Sequence, residues 1–170
     1  MSPTDGTLYG IGVGPGDPEL ITLKALRILQ QVPYIFAAAS NKNDFSFAHN
    51  IVRPYLREAV VEPLPFPMTR DRQVLEAAWL ANAKKVLAVL EQGQDAAFIT
   101  IGDPMTYSTF GYLMKTLKQI KPEAKVVTIP GVTSYNAAAA LANIPLIEGE
   151  ESFYLVSGAQ GGDRLREAVA

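Results

Sequence analysis

The stretch LYGIGVGPGDP, residues 8–18, decides the fold, because a short apolar run passes directly into a turn rich in glycine and proline. Leu8 to Val13 has the pattern of a buried strand, and an amphipathic stretch from about Glu19 to Gln31 predicts the helix that follows. The order of strand, turn and helix recurs along the chain and is typical of βα units around a mostly parallel sheet. We therefore predict an α/β fold.

The same patterns predict the remaining elements. Strands are expected at residues 34–38, 60–61, 96–101, 125–129 and 152–157, and helices at residues 46–56, 71–92, 108–120 and 135–142. The segment 63–68 contains three prolines, so we expect it to be extended and to lie outside a helix or a central strand. Trp79 shares a helix face with apolar residues, which indicates a place in the core rather than in a ligand site.

Composition excludes several classes of protein. The 170 residues include 15 Lys and Arg against 17 Asp and Glu, so no basic excess is present to bind nucleic acid. The absence of Cys excludes a disulfide scaffold, a zinc–thiolate site, an iron–sulfur cluster and a thiol nucleophile. No apolar run is long enough to span a membrane, and the start lacks the pattern of a signal peptide. We expect a cytoplasmic protein with neither nucleic acid nor membrane as partner.

The first glycine-rich turn is not a dinucleotide fingerprint. G-x-G-x-x-G needs a third glycine, and the position that it requires holds Asp17 when counted from Gly12 and Pro15 when counted from Gly10. No Lys follows a Gly, so a Walker A loop is also excluded. An alternative is that these glycines only allow close packing of helix and strand.

Two further turns follow predicted strands in the same way: TIGDPMTYST at residues 100–109 and IPGVTS at residues 129–134. Ligands of open α/β sheets gather at the carboxyl ends of strands. Asp103 alternatively only caps the turn that follows it, and Thr133 or Ser134 alternatively serves as a plain helix cap. Acids and hydroxyls in place of phosphate-binding lysines favour a cationic or zwitterionic ligand.

Three segments together resemble the tetrapyrrole methylase family: GVGPGDPELITLKA at residues 12–25, GDP at residues 102–104 and IPGVTS at residues 129–134. Within the family, FPMT at residues 66–69 and GDPMTYST at residues 102–109 are most similar to the branch that methylates precorrin-2 at C-20 in cobalamin synthesis. The resemblance implies two α/β domains, each a mostly parallel sheet flanked by helices, with the cofactor in the cleft between them. It also implies S-adenosylmethionine as methyl donor, S-adenosylhomocysteine as product, a small-molecule tetrapyrrole substrate and a homodimer.

The resemblance also assigns site residues. The cofactor contacts that it implies are Pro15, Ile101, Gly102, Asp103, Thr106, Thr133 and Ser134. Tyr107 is the candidate catalytic residue, as a polar group that contacts the substrate, although aromatic packing at the start of a helix is an alternative. Because precorrin-2 bears many carboxylates, Arg53, Arg70 and Arg72 are candidate substrate contacts, with a solvated surface of mixed charge as the alternative. No metal site is expected.

The order of elements predicts an N-terminal α/β domain at residues 1–120 and the start of a second at residues 124–170. A helix pattern after Asp163 has no stop signal, so we expect this sequence to be part of a longer protein. The implied activity is methylation of precorrin-2, or of its cobalt-bearing counterpart cobalt-factor II, to precorrin-3A or cobalt-factor III. The alternatives are another tetrapyrrole C-methyltransferase, such as the uroporphyrinogen III or precorrin-4 enzyme, or a non-catalytic module that binds S-adenosylmethionine.

Overall fold

A computed structural model of the chain describes residues 5–39, 46–157, 162, 166 and 167. Five strands form one sheet in which every ladder is parallel, as the sequence predicted. Their order across the sheet is β3-β2-β4-β1-β5. The strands are β1 Thr7–Gly12, β2 Tyr34–Ala39, β3 Val60–Pro65, β4 Ala96–Thr100 and β5 Lys125–Ile129.

The helices are α1 Leu23–Leu29, α2 Phe47–Val52, α3 Arg72–Leu90, α4 Phe110–Ile120 and α5 Ser134–Ala142. The prediction that the first helix begins near Glu19 was wrong, because Pro18–Leu20 forms a separate single turn. The side chain of Thr22 then accepts a hydrogen bond from the Ala25 N–H at 3.2 Å and caps α1. No helix within the described parts of the chain is long and apolar enough to cross a membrane.

The sheet is covered by apolar packing on both faces. One core cluster includes Phe36, Phe98 and Phe110, together with residues of α3 and α4. The other includes Ile35 and Ile99, together with residues of α1 and α2. Burial on both faces explains why the strands consist of continuous apolar runs instead of alternating apolar and polar residues.

Trp79 was expected in the core and instead lies at its margin. Its indole is half-buried and stacks on the ring of Tyr112, with ring centroids 4.4 Å apart and an angle of 6° between the ring planes. Val86 and Leu90, on the same helix, are fully buried. The outer end of α3 therefore packs on α4, while its last turns pack on the sheet.

β3 is longer than the predicted strand at residues 60–61. It continues through Pro63 and Pro65 and pairs with β2 alone, at the edge of the sheet. The expectation that this proline-rich segment is extended and outside a central strand was therefore correct. The predicted break after Val61 was wrong, since an edge strand tolerates proline where the missing N–H would face outward.

β5 was expected to begin a second domain, but it pairs with β1 and completes the sheet of the first unit. The chain divides into compact units at residues 1–134 and 135–170. In the second unit, the rings of Tyr135 and Phe153 lie 5.2 Å apart. The strand predicted at residues 152–157 is absent, because no described residue of this unit supplies a ladder partner.

Two further expectations cannot be compared with the structure. The terminal helix predicted after Asp163 lies mostly outside the described residues, although Arg166 and Glu167 are helical. That residues after the sheet begin a second α/β domain stays a prediction.

Candidate functional site

The carboxyl ends of β4, β1 and β5 lie together, because these strands are neighbours and run in the same direction. They form the edge of the sheet at which the site lies, which is not the side occupied by the edge strand β3. The pairing continues past the strands into the turns. The Val13 N–H donates to the Thr100 carbonyl at 2.9 Å. Gly14 and Gly102 then form an isolated bridge, in which the Gly102 N–H donates to the Gly14 carbonyl at 2.8 Å. The first two glycine-rich turns are thus held side by side.

Glycine is required where these backbones approach one another. A Cβ on Gly12 would lie 2.4 Å from the Gly102 carbonyl oxygen and 2.7 Å from the Gly131 nitrogen. A Cβ on Gly131 would lie 2.1 Å from the same oxygen. The glycines at these strand ends bring the three turns into direct backbone contact. Close helix–strand packing, the alternative considered from the sequence, applies to Gly10, where a Cβ would lie 2.1 Å from the Phe110 ring.

Asp103 joins the second turn to the third. Its Oδ1 accepts hydrogen bonds from the Met105 N–H at 2.8 Å and from the Thr106 hydroxyl at 3.4 Å. Its Oδ2 accepts from the Gly131 N–H at 3.1 Å. Asp103 therefore does cap its own turn, as one alternative proposed, and it also fixes the distance between two strand ends.

Thr133 does not behave as a plain helix cap. Its hydroxyl oxygen is buried and has no hydrogen-bond partner among the described residues. A buried hydroxyl without a partner costs stability, so such a group in a folded protein calls for an explanation. Ser134, next to it, is the exposed first residue of α5. The third turn thus contains a buried hydroxyl that makes no hydrogen bond to any described residue.

The structure brings all seven predicted cofactor contacts to this edge of the sheet. The ones that lie on the three adjoining turns are Pro15, Ile101, Gly102, Asp103, Thr106, Thr133 and Ser134. Whether they bind a cofactor stays a prediction. Tyr107 lies on the same loop with an exposed side chain and a φ of 45°.

The predicted arginine contacts do not share one location. Arg70 and Arg72 follow the carboxyl end of β3, whereas Arg53 lies on the connection that returns from α2 to the start of β3. The Nε of Arg72 donates to Glu76 Oε1 at 2.7 Å, and this hydrogen bond, together with the carboxylate charge, raises the pKa of Arg72 above its ordinary value. Arg72 is therefore already paired, while no ion pair involves Arg70 within the described ranges.

Sequence reasoning missed two links within the site. One is the hydrogen bond between Gly131 and Asp103, which depends on which strands are neighbours. The other is the contact between hydroxyls in which Ser108 donates to Thr100 at 3.1 Å and so fixes the end of the loop. The signal for the second was present, since both residues flank the GDP motif, but hydroxyls in a loop predict no specific pairing.

The sequence matches the profile of the family described as Tetrapyrrole (Corrin/Porphyrin) Methylases over residues 7–170. A relative from Methanocaldococcus jannaschii, named a probable cobalt-precorrin-2 C(20)-methyltransferase, is 42% identical over 92% of this chain and 65% of its own length. The cobalt-precorrin-2 C(20)-methyltransferase of Salmonella typhimurium is 40% identical over 90% of this chain and 64% of its own length. The chain thus spans less than two thirds of the length of either relative.

A similar fold is seen in the X-ray structure of a cobalt precorrin-4 methyltransferase, described as a cobalamin biosynthetic enzyme. The TM-score is 0.64 at 28% sequence identity, and the match covers 87% of this chain and 55% of that one. The α/β architecture described above is therefore shared with the solved structure of a cobalt precorrin-4 methyltransferase.

Proposed function

Because the chain belongs to the tetrapyrrole methylase family, we propose that it acts in the transfer of one methyl group from S-adenosylmethionine to C-20 of precorrin-2 or cobalt-factor II. The observation that carries the proposal is the meeting of the three motif-bearing turns at the ends of β4, β1 and β5. The two relatives at 42% and 40% identity, both named for C(20) methylation of cobalt-precorrin-2, favour this carbon and the cobalt-bearing substrate.

The residues present fit the methyl donor. The unpartnered hydroxyl of Thr133 offers a hydrogen bond to a polar ligand. The carboxylate of Asp103 accepts three hydrogen bonds within the protein and has capacity for one more. The second and third turns contain no lysine, the residue that a phosphate ligand would favour. The residues that would hold the donor are Pro15, Ile101, Gly102, Asp103, Thr106, Thr133 and Ser134.

The protein's contribution is positioning. When bound, S-adenosylmethionine supplies a methyl group on a good leaving group, so the chain needs no nucleophile of its own and has no Cys to serve as one. Backbone contacts among Gly12, Gly102 and Gly131 make this edge rigid, and the Asp103 bridge holds the second loop in place. A rigid edge fixes the orientation of a bound ligand before the substrate arrives.

We propose that the substrate binds at the carboxyl ends of the strands, near the loop 101–107 that follows β4 and the segment that follows β3. Among the candidate arginines, Arg70 is best placed to pair with a substrate carboxylate, because it is exposed and Arg72 is already paired with Glu76. Arg53 stays a weaker candidate on the return connection. Tyr107, the candidate catalytic residue from the sequence, lies on the loop 101–107 with its side chain exposed.

Assembly as a homodimer, which the family resemblance implies, and the cytoplasmic location expected from the sequence are also part of the proposal. The second domain likewise rests on the family resemblance. Sedimentation of the purified protein gives the oligomeric state directly.

The decisive experiment is to incubate the protein with S-adenosylmethionine and either precorrin-2 or cobalt-factor II, without oxygen, and to follow products by mass spectrometry. We expect one methyl group to replace one hydrogen, located at C-20 by NMR. Methylation at another carbon would instead assign the chain to another tetrapyrrole methyltransferase. Binding of S-adenosylhomocysteine without any turnover would indicate a non-catalytic module.

Removing the Thr133 hydroxyl tests the cofactor site separately. In Thr133→Val, the unpartnered polar group is lost, so the free protein is expected to be at least as stable as the wild type. Its affinity for S-adenosylhomocysteine, measured by calorimetry, is expected to fall by about tenfold, which corresponds to one hydrogen bond. Thr116→Val on α4 is the matched control. Unchanged affinity in Thr133→Val contradicts the assigned contact.

A further inference from the structure

Tyr107 has an unusual backbone conformation. Its φ is 45°, in the left-handed region, and the other non-glycine residue with positive φ among those described is Asn143. Asparagine tolerates this region, whereas a bulky residue such as tyrosine is strained there. Strain of this kind persists only where the surrounding structure enforces it, and it is concentrated at functional sites.

The residues on each side of Tyr107 enforce the conformation. On one side, the Thr106 N–H donates to the Asp103 carbonyl at 3.3 Å and the Thr106 hydroxyl donates to the Asp103 carboxylate. On the other side, Ser108 donates to Thr100 at 3.1 Å and accepts a hydrogen bond from the Phe110 N–H at 3.1 Å. The loop is therefore anchored to β4 and to the start of α4, with Tyr107 between the anchors.

Packing does not account for the side chain. The Tyr107 ring is 68% exposed and is not in contact with another aromatic ring in the described part of the chain. Tyr112 shows the contrast, since its ring stacks on Trp79. Met105 and Ile101 on the same loop are also exposed, at 61% and 46%. The loop after β4 thus carries three exposed apolar or aromatic side chains at the carboxyl end of the sheet.

We propose that the ring of Tyr107, rather than its hydroxyl, is a stacking surface for the conjugated face of the tetrapyrrole substrate. The inference rests on the proposed function and revises the polar role that the sequence suggested for this residue. An exposed ring on an anchored loop that also carries two exposed apolar side chains offers a flat apolar contact, which a macrocycle covers more completely than the adenine of the methyl donor does. The fixed backbone lowers the entropy cost of that contact.

Two variants separate the ring from the hydroxyl and from the fold. Tyr107→Gly removes the ring and relieves the positive φ, so its Tm is expected to equal that of the wild type or to rise by up to about 3 °C. Its KM for the tetrapyrrole is expected to rise about three- to tenfold, with the Kd for S-adenosylhomocysteine unchanged. Tyr107→Phe keeps the ring, so its KM for the tetrapyrrole is expected to rise much less than that of Tyr107→Gly.

Tyr112→Ala is the matched control, because it removes an exposed tyrosine ring that packs within the protein. It is expected to lower Tm and to leave KM unchanged. Four results would overturn the proposal: an unchanged KM in Tyr107→Gly, a lowered Tm in Tyr107→Gly, a weaker Kd for S-adenosylhomocysteine in Tyr107→Gly, or a KM in Tyr107→Phe as high as that of Tyr107→Gly. The third would assign the ring to adenine instead of the macrocycle.

A binding measurement that needs no turnover keeps this proposal separate from the proposed function. Uroporphyrin III is a stable conjugated macrocycle with carboxylates, and quenching of its fluorescence reports binding. If the wild type does not methylate precorrin-2 or cobalt-factor II, the proposed function fails. A Tyr107→Gly variant that binds uroporphyrin III as tightly as the wild type then overturns the stacking proposal as well, whereas weaker binding supports it.

Discussion

Gly131 lies where three strand ends meet, and the absence of a side chain is what allows the meeting. A methyl group there would lie 2.1 Å from the Gly102 carbonyl oxygen and 2.8 Å from the Gly12 carbonyl carbon, both of which are backbone atoms. We expect Gly131→Ala to lower the free energy of unfolding by about 2 kcal/mol or more, because backbone must shift to make room. Urea denaturation measures this loss.

Gly111→Ala is the matched control. Gly111 is in α4, and a Cβ there would meet nothing within 4 Å. Alanine is a better helix former than glycine, so this variant is expected to gain about 0.5–1 kcal/mol. If both variants have the same stability, backbone contact is not the reason for glycine at residue 131.

At the residue scale, the sequence indicated the right turns but not their contacts. The predicted cofactor residues lie together because β4, β1 and β5 are neighbours. The sequence left two roles open for Asp103, a cap for its own turn and a contact to a ligand. The structure shows the cap and adds a hydrogen bond to the third turn. The contact to a ligand stays a prediction. Strand order depends on pairing between distant segments, which local patterns do not report.

β3 shows how a single element accommodates proline. The Val60 N–H donates to the Pro33 carbonyl at 2.9 Å, and the Phe66 N–H donates to the Ala39 carbonyl at 3.1 Å. Since N–H groups alternate in direction along a strand, those of residues 60, 62, 64 and 66 face β2. Residues 61, 63 and 65 face outward, and the two prolines occupy outward positions.

Two adjacent substitutions test this alternation. Glu62→Pro removes an N–H that faces β2, and we expect it to lower the free energy of unfolding by about 2 kcal/mol more than Val61→Pro, whose N–H faces away. Chemical denaturation of the two variants, side by side, measures the difference. Equal losses would mean that the register of β3 against β2 differs from the one described.

At the element scale, the predicted strands that have partners in the sheet do form, and the predicted strand that has no partner does not. Residues 96–101 and 125–129 have the apolar, β-branched pattern of buried strands, and they lie beside β1. Residues 152–157 have a similar pattern but form no strand among the described residues. Local propensity is thus sufficient only where tertiary pairing agrees with it. The start of α1 shows that a single side chain also matters, since the cap from Thr22 places it at Leu23 instead of near Glu19, as the apolar pattern predicted.

On the scale of the whole molecule, Lys121 connects distant parts of the chain at the end of α4. Its ammonium group lies 3.2 Å from an Asp5 carboxylate oxygen and 3.4 Å from a Glu91 carboxylate oxygen. The hydrogen bonds to Asp5 and then to Glu91 raise the pKa of Lys121 above its ordinary value. Lys121 thus connects the end of α4 to the end of α3 and to Asp5, which lies just before β1.

The raised pKa fixes the sign of a pH effect. The folded state holds the Lys121 proton more tightly than the unfolded state, so the stabilisation is complete below the ordinary lysine pKa of about 10.4 and is lost as pH rises through the folded-state pKa. We expect Lys121→Met to be less stable than the wild type at pH 7 and the difference to shrink above pH 10. A difference that stays constant across this range, measured by urea denaturation, would contradict the pairing.

The order β3-β2-β4-β1-β5 also has a consequence for synthesis. β1 precedes both of its neighbours in the chain, since β4 and β5 come from the second half of the first unit. Until Ala96–Thr100 and Lys125–Ile129 have been made, an apolar strand destined for the interior has no neighbour. The nascent chain must therefore keep β1 shielded until β4 and β5 have emerged, and assembly of the three glycine-rich turns is a late event in the folding of this sheet.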